Sequence, residues 1–499
     1  MKLTTFGATA LLGLLVLPIS GCGNLSPIRA ALTATGYVSH QLCTAVFLSG
    51  QDAARNYREA IEPVAGPFAF LMRHAVDRER AEVRATVAGL AESRAVYRPP
   101  YGCVNATGTA LASAPATASP TSSGPAAPPL LAPIAGPEPV QTMDSVLDQA
   151  LTRAFEESPT GPRRNTYAIV VVHRDRVVAE RYAPGIGVDT PLPGWSGSKS
   201  MTNALLGILV RQGRLDMHAP APIKAWADPQ DARHAITPDQ LLRMTSGLDA
   251  GQSLHDVSPF DPAAQMLFIE PDMAAYAAQA PLAHAPGTHW NYTDPNTLLL
   301  SSIVREMAGG DVASAYAFVH RELFDKLGMQ HATLEFDAAG TPIGSSHLWA
   351  SARDWARLGL LYLHDGVVGG ERLLPRGWVD DSARQTPGSE FIGYGAGFWT
   401  NRGAGYGAGY RIAAGMPEDT FLARGSYGQY VLIIPSRDLV IVRLGPAWTY
   451  RDDIDVVSRL TREVMQALPV PASAAARCAG DRPAHGSTPV AGPCAASGS

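Results

Sequence analysis

The stretch Gly194-Trp195-Ser196-Gly197-Ser198-Lys199-Ser200 runs directly into the apolar segment from Met201 to Arg211. A serine at the entrance to a helix and a lysine three positions later share one face. The spacing therefore puts the Lys199 amine within reach of the Ser196 hydroxyl. A free serine hydroxyl is almost wholly protonated at neutral pH and attacks carbonyl carbon poorly, so it needs a neighbour to accept its proton. Lysine does this when neutral, and burial near the positive end of a helix disfavours its ammonium form, so a lowered Lys199 pKa is expected. S-x-x-K alone is a pattern that chance supplies in long chains, and the surrounding sequence has to carry the rest.

Upstream, Tyr167 to His173 and Val177 to Tyr182 are β-rich runs split by Arg174-Asp175, which reads as an antiparallel hairpin. Downstream, Tyr430 to Ile434 and Leu439 to Leu444 flank Pro435-Ser436-Arg437-Asp438 as a second hairpin. The middle is mainly helical. Thr237-Pro238 opens a helix with Gln240 completing a capping box, and Gly247 follows its end. Ser351 and Asp354 start another, with Trp355, Leu358, Leu361 and Leu363 on an apolar stripe. This layout predicts an α+β fold over residues 143–468. The two sequence ends build an antiparallel sheet flanked by helices, an all-helical subdomain is inserted between them, and Ser196 faces the cleft where the two meet.

Two further stretches belong with Ser196. Pro286-Gly287-Thr288-His289-Trp290-Asn291-Tyr292-Thr293-Asp294-Pro295-Asn296 ends in a helix start, with Asp294 as N-cap and Pro295 at the first helical position. Tyr292 lies just before it, where a phenol can relay a proton to a leaving group. Phe421 to Tyr430 is a strand with glycines at its active end. A main-chain N–H there, together with that of Ser196, forms an oxyanion hole worth ~3 kcal/mol per donor; a simple bulge accounts equally well for the glycines. His289, Trp290 and Tyr427 either line the cleft or pack in the core.

S-x-x-K, then Y-x-N, then K-T-G on a strand is the ordered triplet of the serine β-lactamase and penicillin-binding-protein superfamily, and this chain resembles it. The three elements stand here as Ser196-Gly197-Ser198-Lys199, Tyr292-Thr293-Asp294 and Ala423-Arg424-Gly425. Gln240-Leu241-Leu242-Arg243-Met244-Thr245-Ser246-Gly247-Leu248, Asp354-Trp355-Ala356-Arg357-Leu358-Gly359 and Gly425-Ser426-Tyr427-Gly428-Gln429 are similar to the branch of class C β-lactamases, esterases and 6-aminohexanoate-dimer hydrolase. The resemblance implies Ser196 as acylated nucleophile, Lys199 as its base, Tyr292 as proton shuttle, and the N–H groups of Ser196 and Ser426, beside Gly425, as oxyanion-hole donors. It implies a small-molecule ester or amide as substrate, and no metal or organic cofactor.

Departures from the triplet bear on substrate. Penicillin-processing members present a cation first in K-T-G, facing the substrate carboxylate, where this chain has Ala423; Arg424, one residue on, should point to the opposite face. Asp294 replaces the usual Asn and, ionised, cannot donate to a substrate amide. Ala423, Arg424 and Asp294 are thus the candidate substrate-binding positions, and they favour an esterase or amide hydrolase over a β-lactamase or DD-peptidase. A non-catalytic envelope binding protein on the same fold is the remaining alternative.

The flanks place the domain. Residues 1–21 carry Lys2 and then an apolar run, the layout of a secretory signal and too short to span a bilayer. Ile19-Ser20-Gly21-Cys22 resembles a bacterial lipoprotein cleavage site, with Cys22 as the lipidated residue. The expectation is export to the periplasm or outer surface, anchored at a membrane through that lipid. Removing Cys22 leaves Cys43, Cys103, Cys478 and Cys494, an even number suited to an oxidising compartment; of the three pairings, Cys43 with Cys103 and Cys478 with Cys494 is favoured because each brackets a local segment. Residues 22–103 form a small module with helices expected over Gln51 to Ile61 and Val76 to Ala91. Residues 104–142 read as an extended, poorly packed Ala/Pro/Ser linker, and 469–499 as a low-complexity tail. A net charge of −5 and a pI near 6.2 argue against nucleic acid as partner. Paired C-x-x-C and H-E-x-x-H motifs are missing, so the sequence offers no zinc signature.

Overall fold

The computed structural model describes residues 26–89, 91–106, 128–160, 163–253, 258–448 and 450–469. Its centre is a six-stranded antiparallel sheet in the order Trp399–Thr400, Phe421–Gly425, Gln429–Ile434, Leu439–Leu444, Ala168–His173, Arg176–Tyr182. The two hairpins read from the sequence are joined edge to edge, because Leu439–Leu444 pairs with Ala168–His173. Val170, Val172, Val431, Ile433, Val440 and Val442 face one core; Ile169, Val171, Leu432, Ile434, Leu439 and Ile441 face the other. A period of two with apolar residues on both faces is what a sheet covered on both sides requires. Ala352–Leu363 covers the first face, and the paired helices Ser145–Phe155 and Tyr450–Ala467 cover the second.

Local chemistry sets the connections. Arg174 and Asp175 have φ of 51° and 63°, the left-handed pair that lets a two-residue turn follow the twist of its strands. Thr237 and Gln240 exchange side-chain to backbone bonds as a capping box, worth about 1 kcal/mol. Ser351 caps Ala352–Leu363 through the Asp354 N–H. The inserted half is helical, with Ser198–Arg211 packed on Asp294–Ala308, and is punctuated by a small sheet of Leu192–Pro193, Leu348–Ala350 and Ala332–Leu334.

The N-terminal residues lay helix Pro27–Cys43 across a four-stranded antiparallel sheet, Met72–Asp77, Glu82–Val87, Ala91–Tyr97 and Cys103–Asn105. The expected Cys43–Cys103 disulfide closes it, and the 51–61 helix is present, capped by Asp52. The helix expected over Val76 to Ala91 is instead strand. Val83 and Ala85 are buried beneath the first helix, and that packing outweighs the helix propensity of the Arg/Glu/Ala run. The described part of the 104–142 segment is packed rather than loose: Leu130 and Leu131 N–H donate to Lys326 O, Val177 N–H donates to Ile134 O, and Ile134 is buried. Residues 1–21, Cys22, Cys478 and Cys494 lie outside the described residues. Among those described, no helix is long and apolar enough to cross a membrane.

Candidate active site

The stretch around Ser196 does not continue the helix. Trp195–Gly197 is a tight 3-10 turn, and regular helix begins at Ser198. Trp195 has φ 46°, a left-handed backbone that costs on the order of 1–2 kcal/mol for a residue with a Cβ, and its neighbours hold it there. The indole stacks on Tyr37 of the first helix, with centroids 6.2 Å apart, and meets Tyr427 edge-on at 5.4 Å. Ser198 Oγ donates to Trp195 O (2.7 Å) and accepts from Leu348 N–H (3.1 Å). At Gly194 a Cβ would sit 2.0 Å from the Trp355 ring, so only glycine lets the turn close over that indole. Ser196 is left half-buried at the rim.

Lys199 is 1 % exposed and donates to Ser196 Oγ at 3.0 Å and to Ser345 O at 3.0 Å. Its third partner is the Asp294 carboxylate, in a short buried ion pair. Tyr292, itself buried, lies alongside with its ring centroid 4.9 Å from Nζ. Burial pushes the Lys199 pKa down, but Asp294 and then Tyr292 push harder the other way, and the net shift is upward. The expectation of a lysine made neutral by burial is therefore corrected: Asp294 holds it as an ammonium ion.

Asp294 is also not the N-cap expected of it. The helix Asp294–Ala308 begins with Asp294 in its first turn, its cap is Thr293, and the cap makes no side-chain hydrogen bond. The Asp294 N–H donates to Ser253 Oγ while its carboxylate turns to Lys199. A buried ammonium left unpaired would cost more than a helix end gains from a side-chain cap.

The strand Phe421–Gly425 ends against the Trp195–Gly197 turn. A Cβ on Gly425 would lie 2.0 Å from Gly194 O, so the Gly425-Ser426 backbone passes directly beside Ser196. Ala423 is buried in the core on one face of the sheet. Arg424 points the other way, as expected: its Nε donates to Tyr430 Oη at 2.9 Å and its guanidinium lies 4.6 Å from the Trp399 ring centroid. His289 is exposed and stacks on His284. Trp290 packs with Tyr292 and Tyr394, and Tyr427 sits between Trp195 and Trp448. The sequence reading missed Ser345, whose carbonyl holds Lys199; a backbone acceptor leaves no side-chain signature.

An antiparallel sheet closed by the two chain ends, an inserted helical half, and Ser196 with Lys199 at their junction define the β-lactamase and penicillin-binding-protein class of fold. The profile of the Beta-lactamase family matches residues 151–453, and the chain belongs to that family. It is 26% identical over 317 residues to a 6-aminohexanoate-dimer hydrolase of Paenarthrobacter ureafaciens, covering 62% of this chain and 78% of the relative. Among solved structures, a Bacillus anthracis protein provisionally called a 6-aminohexanoate-dimer hydrolase superposes with a TM-score of 0.52 at 22% identity, covering 68% of this chain and 89% of that one. A penicillin-binding-protein homologue from Caulobacter crescentus gives 0.51 at 17%, covering 68% and 100%. These structural likenesses speak for the fold.

Proposed function

We propose that the chain is a serine hydrolase working through an acyl-enzyme on small esters or amides, with Ser196 as nucleophile, Lys199 as base and Tyr292 as proton shuttle. The observation that carries this reading is the 3.0 Å contact from the buried Lys199 Nζ to the half-buried Ser196 Oγ. Once Lys199 has lost its own proton to solvent it accepts that of Ser196, and as Oγ bonds to the substrate carbonyl carbon the carbonyl π pair moves to oxygen. The tetrahedral oxyanion is taken by the N–H groups of Ser196 and Ser426, a role supported by the close approach of Gly425 to Gly194. As the carbonyl carbon–oxygen or carbon–nitrogen bond breaks, Tyr292 hands the leaving group a proton. Water then adds to the acyl carbon, giving a proton to the same pair, and Ser196 is restored.

Two features favour an esterase or amide hydrolase over a β-lactamase or DD-peptidase, whose substrates present a carboxylate to this strand. Ala423 carries no charge at the strand position where a cation would meet such a carboxylate. Arg424 is engaged with Trp399 and Tyr430 on the other face. The test is hydrolysis of p-nitrophenyl butyrate, 6-aminohexanoate dimer and nitrocefin by the wild type and by Ser196→Ala. The reading expects the first or second to turn over in a Ser196-dependent way and nitrocefin to lag. A wild type inert to all three, with no acyl adduct, identifies the binding-protein alternative. The chain is further proposed to be exported and lipid-anchored at Cys22; Cys22→Ser should move it from the membrane to the soluble fraction.

A further inference from the structure

A second buried polar cluster lies on the far flank of the loop that holds Lys199. His40 comes from the first helix, and Glu335 and His347 come from the two ends of the 335–347 loop, where the Glu335 N–H donates to His347 O at 3.1 Å. Their exposures are 1 %, 0 % and 1 %, and each offers a ligand atom within 4.8 Å of the other two. Glu335 is held in place: Oε1 accepts from Thr44 Oγ1 (2.8 Å) and Cys103 N–H (2.7 Å), and Oε2 lies 2.9 Å from His40 Nε2. Gly102, at φ +76°, leaves room for it, since a Cβ there would be 2.6 Å from the carboxylate. His347 Nδ1 is bonded to Ser346 Oγ at 2.7 Å. Its Nε2 is buried with no hydrogen-bond partner among the described residues, as is His40 Nδ1.

An imidazole nitrogen in a dry site with nothing to bond is an uncompensated desolvation, and here it sits beside a second imidazole and a carboxylate. We propose that His40, Glu335 and His347 bind one divalent transition-metal ion, zinc being the best match, and that this ion fastens the N-terminal helix to the hydrolase body. Two imidazoles and a carboxylate are a zinc donor set, completed by a water molecule in the fourth position. Bonds of ~2 Å in a tetrahedron set ligand atoms roughly 3.3 Å apart, between the 2.9 Å of the His40–Glu335 contact and the 4.8 Å within which all three lie. The outer partners that zinc ligands need are already there: Thr44 and the Cys103 N–H on Glu335, and Ser346 on His347. The site is separate from the hydrolytic chemistry but braces its frame, because Ser345, the acceptor for Lys199, lies two residues before His347.

The test uses the untagged full chain, stripped with a chelator, reloaded with Zn²⁺ or Co²⁺, desalted, and analysed for metal, visible cobalt bands and melting temperature. The expected result is about one ion per chain, cobalt bands of a nitrogen- and oxygen-ligated site, and a higher Tm on reloading. Glu335→Gln and His347→Gln should lose the ion. A double variant, His284→Ala with His289→Ala, removes the exposed stacked pair that is the competing surface site and should keep it. Wild type that holds no stoichiometric metal after reloading overturns the proposal, as does metal lost from the His284/His289 variant or retained by folded His347→Gln. If the buried-site variants fail to fold, the wild-type loading and the surface variant still decide.

Discussion

Two buried carboxylates flank residues 341–347, and they are used differently. Asp294 pairs with the Lys199 ammonium, one turn from a half-buried serine. Glu335 is enclosed by His40, Thr44 and the Cys103 N–H, with no serine at a rim. Burial makes an unpaired charge costly in either place, so both are paired. What separates them is access. A buried proton acceptor becomes a catalyst only when a reacting atom can reach it, and otherwise it fastens structure. The N-terminal module reaches both places, through Tyr37 on Trp195 and through His40 on Glu335, which explains why a segment outside the family match is packed so closely against the site.

The sharpest way to break this division is at the nucleophile. Ser196→Ala should lower kcat/KM for an activated ester by roughly 10⁴-fold or more with an unchanged circular dichroism spectrum. Tyr292→Phe keeps the ring and loses the hydroxyl, and should cost about 10²–10⁴-fold in kcat, read under the same conditions. The enclosed cluster should answer in stability instead. Glu335→Ala strands Thr44, Cys103 N–H and His40, and should cost about 3 kcal/mol in urea unfolding while the activity of the folded fraction stays within a few-fold. Gly425→Ala drives a Cβ into Gly194 O; it should cost about 1–3 kcal/mol of stability and lower activity together with it. Asp294→Asn gives the most subtle effect. The Asp294 charge is what raises the Lys199 pKa against burial; without it burial dominates and the pKa falls. The alkaline rise of kcat/KM should then move to lower pH in the Asn variant, and an unmoved profile would mean that Lys199 is not the titrating base.

Local rules written into a few residues were legible before the structure. The Arg174-Asp175 turn, the Thr237/Gln240 capping box and the Ser351 cap depend only on neighbours in sequence, and each forms as expected. The S-x-x-K spacing placed Lys199 on Ser196 for the same reason. What was illegible depended on distant partners. Val76 to Ala91 has helix-forming composition but is strand, because the first helix covers Val83 and Ala85. Asp294 reads as a cap beside Pro295, and nothing local says that a lysine from another helix will claim it. His40 looks like any helical histidine until Glu335 and His347 arrive from about three hundred residues away.

The central claim is that one hydroxyl attacks carbonyl carbon, and a covalent adduct tests it most directly. Wild type mixed with p-nitrophenyl butyrate, quenched in acid during turnover and digested, should yield a butyrylated peptide containing Ser196, and the Ser196→Ala protein should yield none. A butyryl group on a different residue, or steady turnover by Ser196→Ala at the wild-type rate, would contradict the account.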